Sequence, residues 1–353
     1  MVNASGSIEQ SGRSLPRWLR LITRIFILVL AFLIVLTVIT LLLGAKAKAD
    51  LKAKYPPPGQ LVDIGGYRLH IDCQGTGNPT VILEAGLGEP SLTWAMVQPQ
   101  LVSGSRVCVY DRAGLGWSDA SPKPRTAELM VAELHTLLNN AKIPGPYVLV
   151  GHSVGGMLVR MYAHSYPVDI VGMVLVDATH EEQFSRLPAA VQQNVRQNFA
   201  QASQGLPLYR VVTITGIGAL VPAIGALADN PQLPSPARET YSALLLSDPK
   251  FSEAKVAEGE ATLDMTAELR AAHITTLGNI PLMVLYNGLA GANMPGMTAA
   301  ENIEYWVKLQ TELAALSPQG KLQAAAQSGH FIQLDQPKLV IDAIQQVVTT
   351  ARK

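Results

Sequence analysis

Tyr147-Val148-Leu149-Val150-Gly151-His152-Ser153-Val154-Gly155-Gly156 decides the reading of this chain, because an apolar strand-like run enters a G-x-S-x-G sequence and the residues after it (GMLVRMYAHSYP) read as a helix. A serine at a tight strand-to-helix turn needs strained torsions, and glycines two residues to either side keep neighbouring elements from colliding. Its hydroxyl is then exposed at the helix N-terminus, where the amide of Val154 can stabilise a developing oxyanion. An isolated G-x-S-x-G is often only a glycine-rich turn; the strand before it and the helix after it make Ser153 a candidate nucleophile.

Outward from this elbow, strands and helices alternate: LVDI, YRLHIDC, TVILEAG and RVCVYDR, a helical TAELMVAELHTLLNNA, the elbow, and then VGMVLVDA. The β-branched runs without polar alternation are those of a sheet covered on both faces, so a doubly wound, mostly parallel α/β sheet is expected. From Thr179 to about Leu277 the pattern turns helical and includes the apolar Gly216 to Ala228, read as core of that segment with contact to lipid as the alternative. Strand character returns at Ile280 to Asn287, followed by a helix near Ala300 to Leu316, a strand near Lys321 to Gln327 and an amphipathic helix from Pro337 to Val348.

Serine is a poor nucleophile at neutral pH and needs a base, which in such a chain order comes downstream, after an acid. His330, in Ser328-Gly329-His330-Phe331, comes just after the last expected strand, on the sheet edge where ligand chemistry collects, whereas His273 falls in the helical stretch. Asp177 ends the strand after the nucleophile strand, on the same edge, and can orient an imidazole. The segment Asn287 to Asn293 carries no carboxylate before Glu301 and Glu304, which stay open as alternative acids, as does a dyad assisted by another group. A second oxyanion donor is expected in Glu84-Ala85-Gly86-Leu87-Gly88, with the Leu87 amide as candidate and a plain glycine turn as the bland reading.

With 353 residues and 27 basic against 27 acidic side chains, the chain can bury a large catalytic domain and has no basic field for nucleic acid. Only Cys73 and Cys108 are present, so no cysteine metal site is expected; they read as small buried hydrophobes, with a single disulfide as the alternative. No cofactor or metal is expected.

Residues 25–44, IFILVLAFLIVLTVITLLLG, form an uncharged run long enough to span a bilayer, read as a transmembrane signal-anchor in preference to a cleaved signal, although small-x-small patterns occur just after it at Ala45 to Ala49. Arg13, Arg17, Arg20 and Arg24 precede it, in a basic tail (1–24), and Lys46, Lys48, Lys52 and Lys54 come after it. Because long domains translocate largely regardless of charge, the catalytic domain is expected on the extracytoplasmic side. The lysine- and proline-rich stretch 45–60 reads as a stiff extended spacer.

Taken together, the elbow GHSVGG, the loop EAGLG, the turn Asp111-Arg112-Ala113-Gly114-Leu115-Gly116-Trp117-Ser118-Asp119 and the terminal SGHFIQLDQP resemble the α/β-hydrolase superfamily, over about Leu61 to Val348. The chain looks most like the cap-bearing serine hydrolase branch. That resemblance implies an eight-stranded sheet, a core formed by 61–178 and 278–353, and a helical cap at 179–277 after the sixth strand. It also places Cys73 and Cys108 on neighbouring strands, where they could pair. Ala85-Gly86 stands where many relatives have His-Gly, and the usual acid position after the seventh strand is empty, as in some dehalogenases that carry the acid after the sixth. Serine as nucleophile differs from the aspartate of the epoxide hydrolases and dehalogenases of this branch. The expectation is a membrane-anchored serine hydrolase acting on a small ester-type substrate with a hydrophobic group. Its rivals are another bond cleaved by the same residues (thioester, amide, carbon-carbon or perhydrolysis) and a non-catalytic membrane-tethered binding protein.

Overall fold

The computed structural model of the protein describes residues 16–289 and 297–353. Arg13, with the rest of 1–15 of the basic tail, and Ala290 to Gly296 of the loop after the seventh strand lie outside the described residues.

Eight strands form one sheet in the order β1-β2-β4-β3-β5-β6-β7-β8. They are β1 (Gln60–Asp63), β2 (Arg68–Gln74), β3 (Thr80–Glu84), β4 (Val107–Tyr110), β5 (Tyr147–His152), β6 (Ile170–Val176), β7 (Leu282–Asn287) and β8 (Gly320–Ala325). β2 runs antiparallel to both β1 and β4, and the remaining pairs are parallel. The absence of polar alternation is a consequence of burial on both faces. In β5 the side chains of Tyr147 and Leu149 join a core with Met157, Leu158 and Tyr162 of the helix Val154–Ser165, while Val148 and Val150 join a second core with Val340, Ile344 and Val347 of the helix Pro337–Ala351. The period-two alternation of a strand sends neighbours to opposite faces, so a buried parallel strand must be apolar at every position.

Between β6 and β7 the chain forms helices only, the longer ones being Ala189–Ala202, Leu206–Thr215, Ser235–Ser247 and Lys250–Ala272. Cys73 and Cys108 face each other in the antiparallel register of β2 and β4 and are joined in a disulfide.

The N-terminal region differs from the expected spacer. A single helix runs from Arg17 to Lys54, and only Tyr55 to Gly59 separates it from β1. It is the one helix among the described residues long and apolar enough to cross a membrane. Tertiary contacts explain why it continues past its apolar run: Lys48 Nζ donates to the Ile214 carbonyl at 2.8 Å, Tyr55 Oη lies 3.2 Å from Glu239 Oε2, and Trp117 Nε1 donates to the Tyr55 carbonyl at 3.0 Å. The stretch read as an extended spacer is thus mostly helix packed on the inserted segment.

Candidate active site

Ser153 sits between β5 and the next helix with φ +53°, a left-handed conformation that costs a side-chain-bearing residue about 1–3 kcal/mol and persists only where surroundings enforce it. Its amide donates to the Val176 carbonyl and its own carbonyl accepts from Thr179, which pins the elbow to the end of β6. A Cβ on Gly155 would lie 2.5 Å from the Ala85 carbonyl oxygen, and one on Gly151 equally close to the carbonyl of Gly155. These two glycines are therefore required by backbone approach, the physical content of the motif.

Ser153, His330 and Asp177, each expected at the site from the sequence, meet there. Ser153 Oγ lies 3.0 Å from His330 Nε2, and His330 Nδ1 lies 2.6 Å from Asp177 Oδ2. With Asp177 ionised, Nδ1 carries the proton and Nε2 is left to accept from the serine hydroxyl. Asp177 is fully buried, which by itself would push its carboxyl pKa up; the hydrogen bond and charge of His330 and the donors of Asn287 outweigh burial and hold it below the usual carboxylate range. Asp177 Oδ1 accepts from the Asn287 amide (2.9 Å) and from Trp306 Nε1 (2.8 Å), and Oδ2 accepts from Asn287 Nδ2 (2.8 Å). Sequence reasoning does not single out Asn287 or Trp306. Asn287 ends β7, next to the position after the seventh strand where the resemblance implies an acid, and that position is the available clue.

Glu301 and Glu304 are not brought to the histidine. Glu301 closes a capping box with Thr298 at the start of the helix Ala299–Ala314, its carboxylate accepting from the Thr298 amide and hydroxyl at 2.8 Å each. Glu304 is exposed on the same helix.

The loop from Ala85 to Glu89 is clamped by charges that no sequence pattern reveals. Arg112, buried at the start of the turn after β4, donates to the carbonyls of Ala85 (2.8 Å) and Gly86 (2.6 Å) and to the carboxylates of Glu84 and Glu258. Glu258, from the helix Lys250–Ala272, accepts from the Gly88 amide at 2.8 Å. Because the peptide is planar and trans, holding the Gly86 carbonyl oxygen aims the Leu87 N–H in the opposite direction. Burial alone would raise the Glu258 pKa; the charge of Arg112 overrides it and keeps the carboxyl low.

Beneath the elbow, His152 Nδ1 is 3.1 Å from Glu89 Oε2 and Nε2 is 2.9 Å from the His330 carbonyl oxygen. With Glu89 ionised both neighbours are acceptors, an arrangement that favours a proton on each ring nitrogen. Burial opposes that charge, but Glu89 and the carbonyl raise the His152 pKa, while the Glu89 carboxyl is lowered despite its own burial. Glu89 Oε2 also accepts from the Gly86 amide, tying the pair to the same loop. Among the described residues no group of three or more His, Cys, Asp or Glu side chains is arranged to hold a metal ion.

Residues 79–210 match the model of the alpha/beta hydrolase fold family. The uncharacterized protein YqjL of Bacillus subtilis is 27% identical over 285 residues, covering 80% of this chain and 89% of that one. A probable transporter, efuK, of Hormonema carpetanum is 40% identical over 136 residues; the match covers 36% of this chain but spans only 20% of that relative's length. Among solved structures, a thermophilic esterase from Thermogutta terrifontis superposes with a TM-score of 0.57 at 21% identity, over 84% of this chain and all of that one. The eight-stranded sheet, the strand order and the matched segment together give the chain the α/β-hydrolase fold.

Proposed function

We propose that the protein is a membrane-anchored serine hydrolase that cleaves carboxylic esters bearing a hydrophobic group, with Ser153, His330 and Asp177 as its catalytic triad. The observation that carries this reading is the continuous hydrogen-bond relay from Ser153 Oγ through His330 to Asp177, at 3.0 and 2.6 Å. In it, Ser153 Oγ attacks the ester carbonyl carbon while His330 Nε2 takes the hydroxyl proton, and buried Asp177 stabilises the resulting imidazolium. The oxyanion is received by the amides of Val154 and Leu87. His330 returns the proton to the leaving alcohol, and water, deprotonated by the same imidazole, releases the acid from the acyl-enzyme.

In this reading residues 61–178 and 278–353 form the catalytic core, 179–277 the cap, and 25–44 the membrane-spanning part of the N-terminal helix. The disulfide between Cys73 and Cys108 supports a catalytic domain in an oxidising, extracytoplasmic compartment. The esterase likeness supports the ester as substrate class.

The test is covalent labelling of the full-length, detergent-solubilised protein with a fluorophosphonate probe. Wild type should label, and Ser153→Ala and His330→Ala should not. A folded wild type that does not label overturns the assignment.

A further inference from the structure

The N-terminal helix and the inserted segment meet at a defined height. On the helix the stripe Thr40, Gly44, Ala47, Lys48 and Leu51 is wholly or partly covered while the rest of the surrounding surface is exposed. Gly44 is buried there, because a Cβ would collide with the carbonyl of Thr215, and Lys48 Nζ holds the Ile214 carbonyl one turn further on. The uncharged run ends at Ala45, with Lys46 next. The end of the helix Leu206–Thr215 therefore stands level with the point at which the N-terminal helix stops being compatible with hydrocarbon.

The surface of the inserted segment at that height is largely apolar, with Arg210, ion-paired to Glu253, at its edge one turn before Ile214. From Val211 to Ala228 there is no charged residue. Leu208 is 72% exposed, Val211 57%, Ile214 59% and Leu227 85%. Leu208, Val211 and Ile214 recur every three residues and so share one side of their helix, whereas Thr213 is buried and Tyr209 Oη donates to the Leu245 carbonyl on the other side. The helix rises about 10 Å from Leu208 to Thr215, so at any tilt its apolar face stays within about 10 Å of that level, the depth to which interfacial helices bury. Clustered, exposed large apolar side chains on a protein generally mark a contact.

We infer that this face, from Leu208 to Leu227, lies in the interface of the bilayer that the N-terminal helix crosses, giving the chain a second, monotopic membrane contact. The inference rests on the membrane-spanning reading above and adds to it that the cap does not stand off the membrane.

Full-length protein in phosphatidylcholine vesicles tests it. Cys73 and Cys108 are paired and no free cysteine exists, so an introduced thiol takes a nitroxide label alone. Labels at Ile214→Cys and Leu227→Cys should show a several-fold higher ratio of oxygen to water-soluble nickel-chelate collisions than a label at Val168→Cys, which is 92% exposed beside the opposite, N-terminal end of β6. A label at Val29→Cys, in the middle of the apolar run, reports on the spanning helix itself. If positions 214 and 227 behave like 168 while 29 favours oxygen, the inference is overturned and the spanning reading stands; if 29 also behaves like 168, both fall. Dipolar broadening between labels at 214, with both reagents excluded, would put a second copy of the chain on this face and also overturn the inference.

Discussion

Asp177→Asn removes one charge without changing shape, and the donors around the carboxylate determine its consequence. Each carboxylate oxygen accepts twice: Oδ1 from the Asn287 amide and Trp306 Nε1, and Oδ2 from Asn287 Nδ2 and His330 Nδ1. An asparagine has one acceptor oxygen. Placed at the Oδ1 position it keeps two bonds and turns its NH2 toward His330. The imidazole then accepts at Nδ1 and carries its proton on Nε2, facing Ser153, where it can no longer take the hydroxyl proton. Loss of the correct tautomer costs a serine hydrolase about 10⁴-fold in kcat, about 5 kcal/mol of barrier. Stability should fall by about 1–3 kcal/mol as well, because the new NH2 faces the Asn287 donor inside a buried site. The assay is steady-state hydrolysis of p-nitrophenyl esters of graded chain length by the full-length protein, with thermal melting to establish that the variant is folded. A folded variant retaining kcat within tenfold of wild type would refute the role given to Asp177.

The buried charges and the disulfide give further expected outcomes. Glu258→Ala leaves the Arg112 guanidinium buried without one of its two carboxylates and frees the Gly88 amide; it should destabilise by about 3–5 kcal/mol, and Glu258→Gln by less, both read as a lowered Tm, with kcat falling more than KM rises if the clamp positions Leu87. His152, raised above its ordinary value of 6.5 by Glu89, contributes stability that is fully present below that value and lost as pH rises through the higher folded one. The drop in wild-type Tm as pH rises above 6.5 should therefore be larger than that of His152→Gln, and equal slopes would show that the ring is neutral. Glu89, lowered from 4.5, adds stability that is present above that value and lost as pH falls through its folded pKa, so the pair supports the fold most between the two ranges. Breaking the Cys73–Cys108 bridge, whose ends are 35 residues apart, should cost about 3–4 kcal/mol by loop entropy, seen as a lower Tm in Cys73→Ser/Cys108→Ser than in the oxidised protein.

Much of this molecule is legible in its sequence, for a reason that differs by element. The elbow is a local device: its serine needs a positive φ, and its glycines are demanded by backbone approaching within a few residues or across one neighbouring strand, so the requirement is written in consecutive positions. The buried strands and the apolar run at 25–44 are equally local, since burial on both faces of a strand and the immersion proposed for the whole helix each impose a composition on a continuous stretch. Its place at a strand end favours Asp177 over Glu301 without deciding between them. That choice needs Thr298 to occupy Glu301 in a cap and Asn287 and Trp306 to bring donors to Asp177 from 110 and 129 residues away. Nor can the pairing of Arg112 with Glu258 be read, because two charges 146 residues apart show no periodicity, and their meaning arises only where one cavity desolvates both. The continuation of the N-terminal helix to Lys54 is of the same kind: lysines and prolines suggest a spacer, but a helix that gains a packed face on Thr215 and Ile214 is stabilised by contacts its own sequence does not contain.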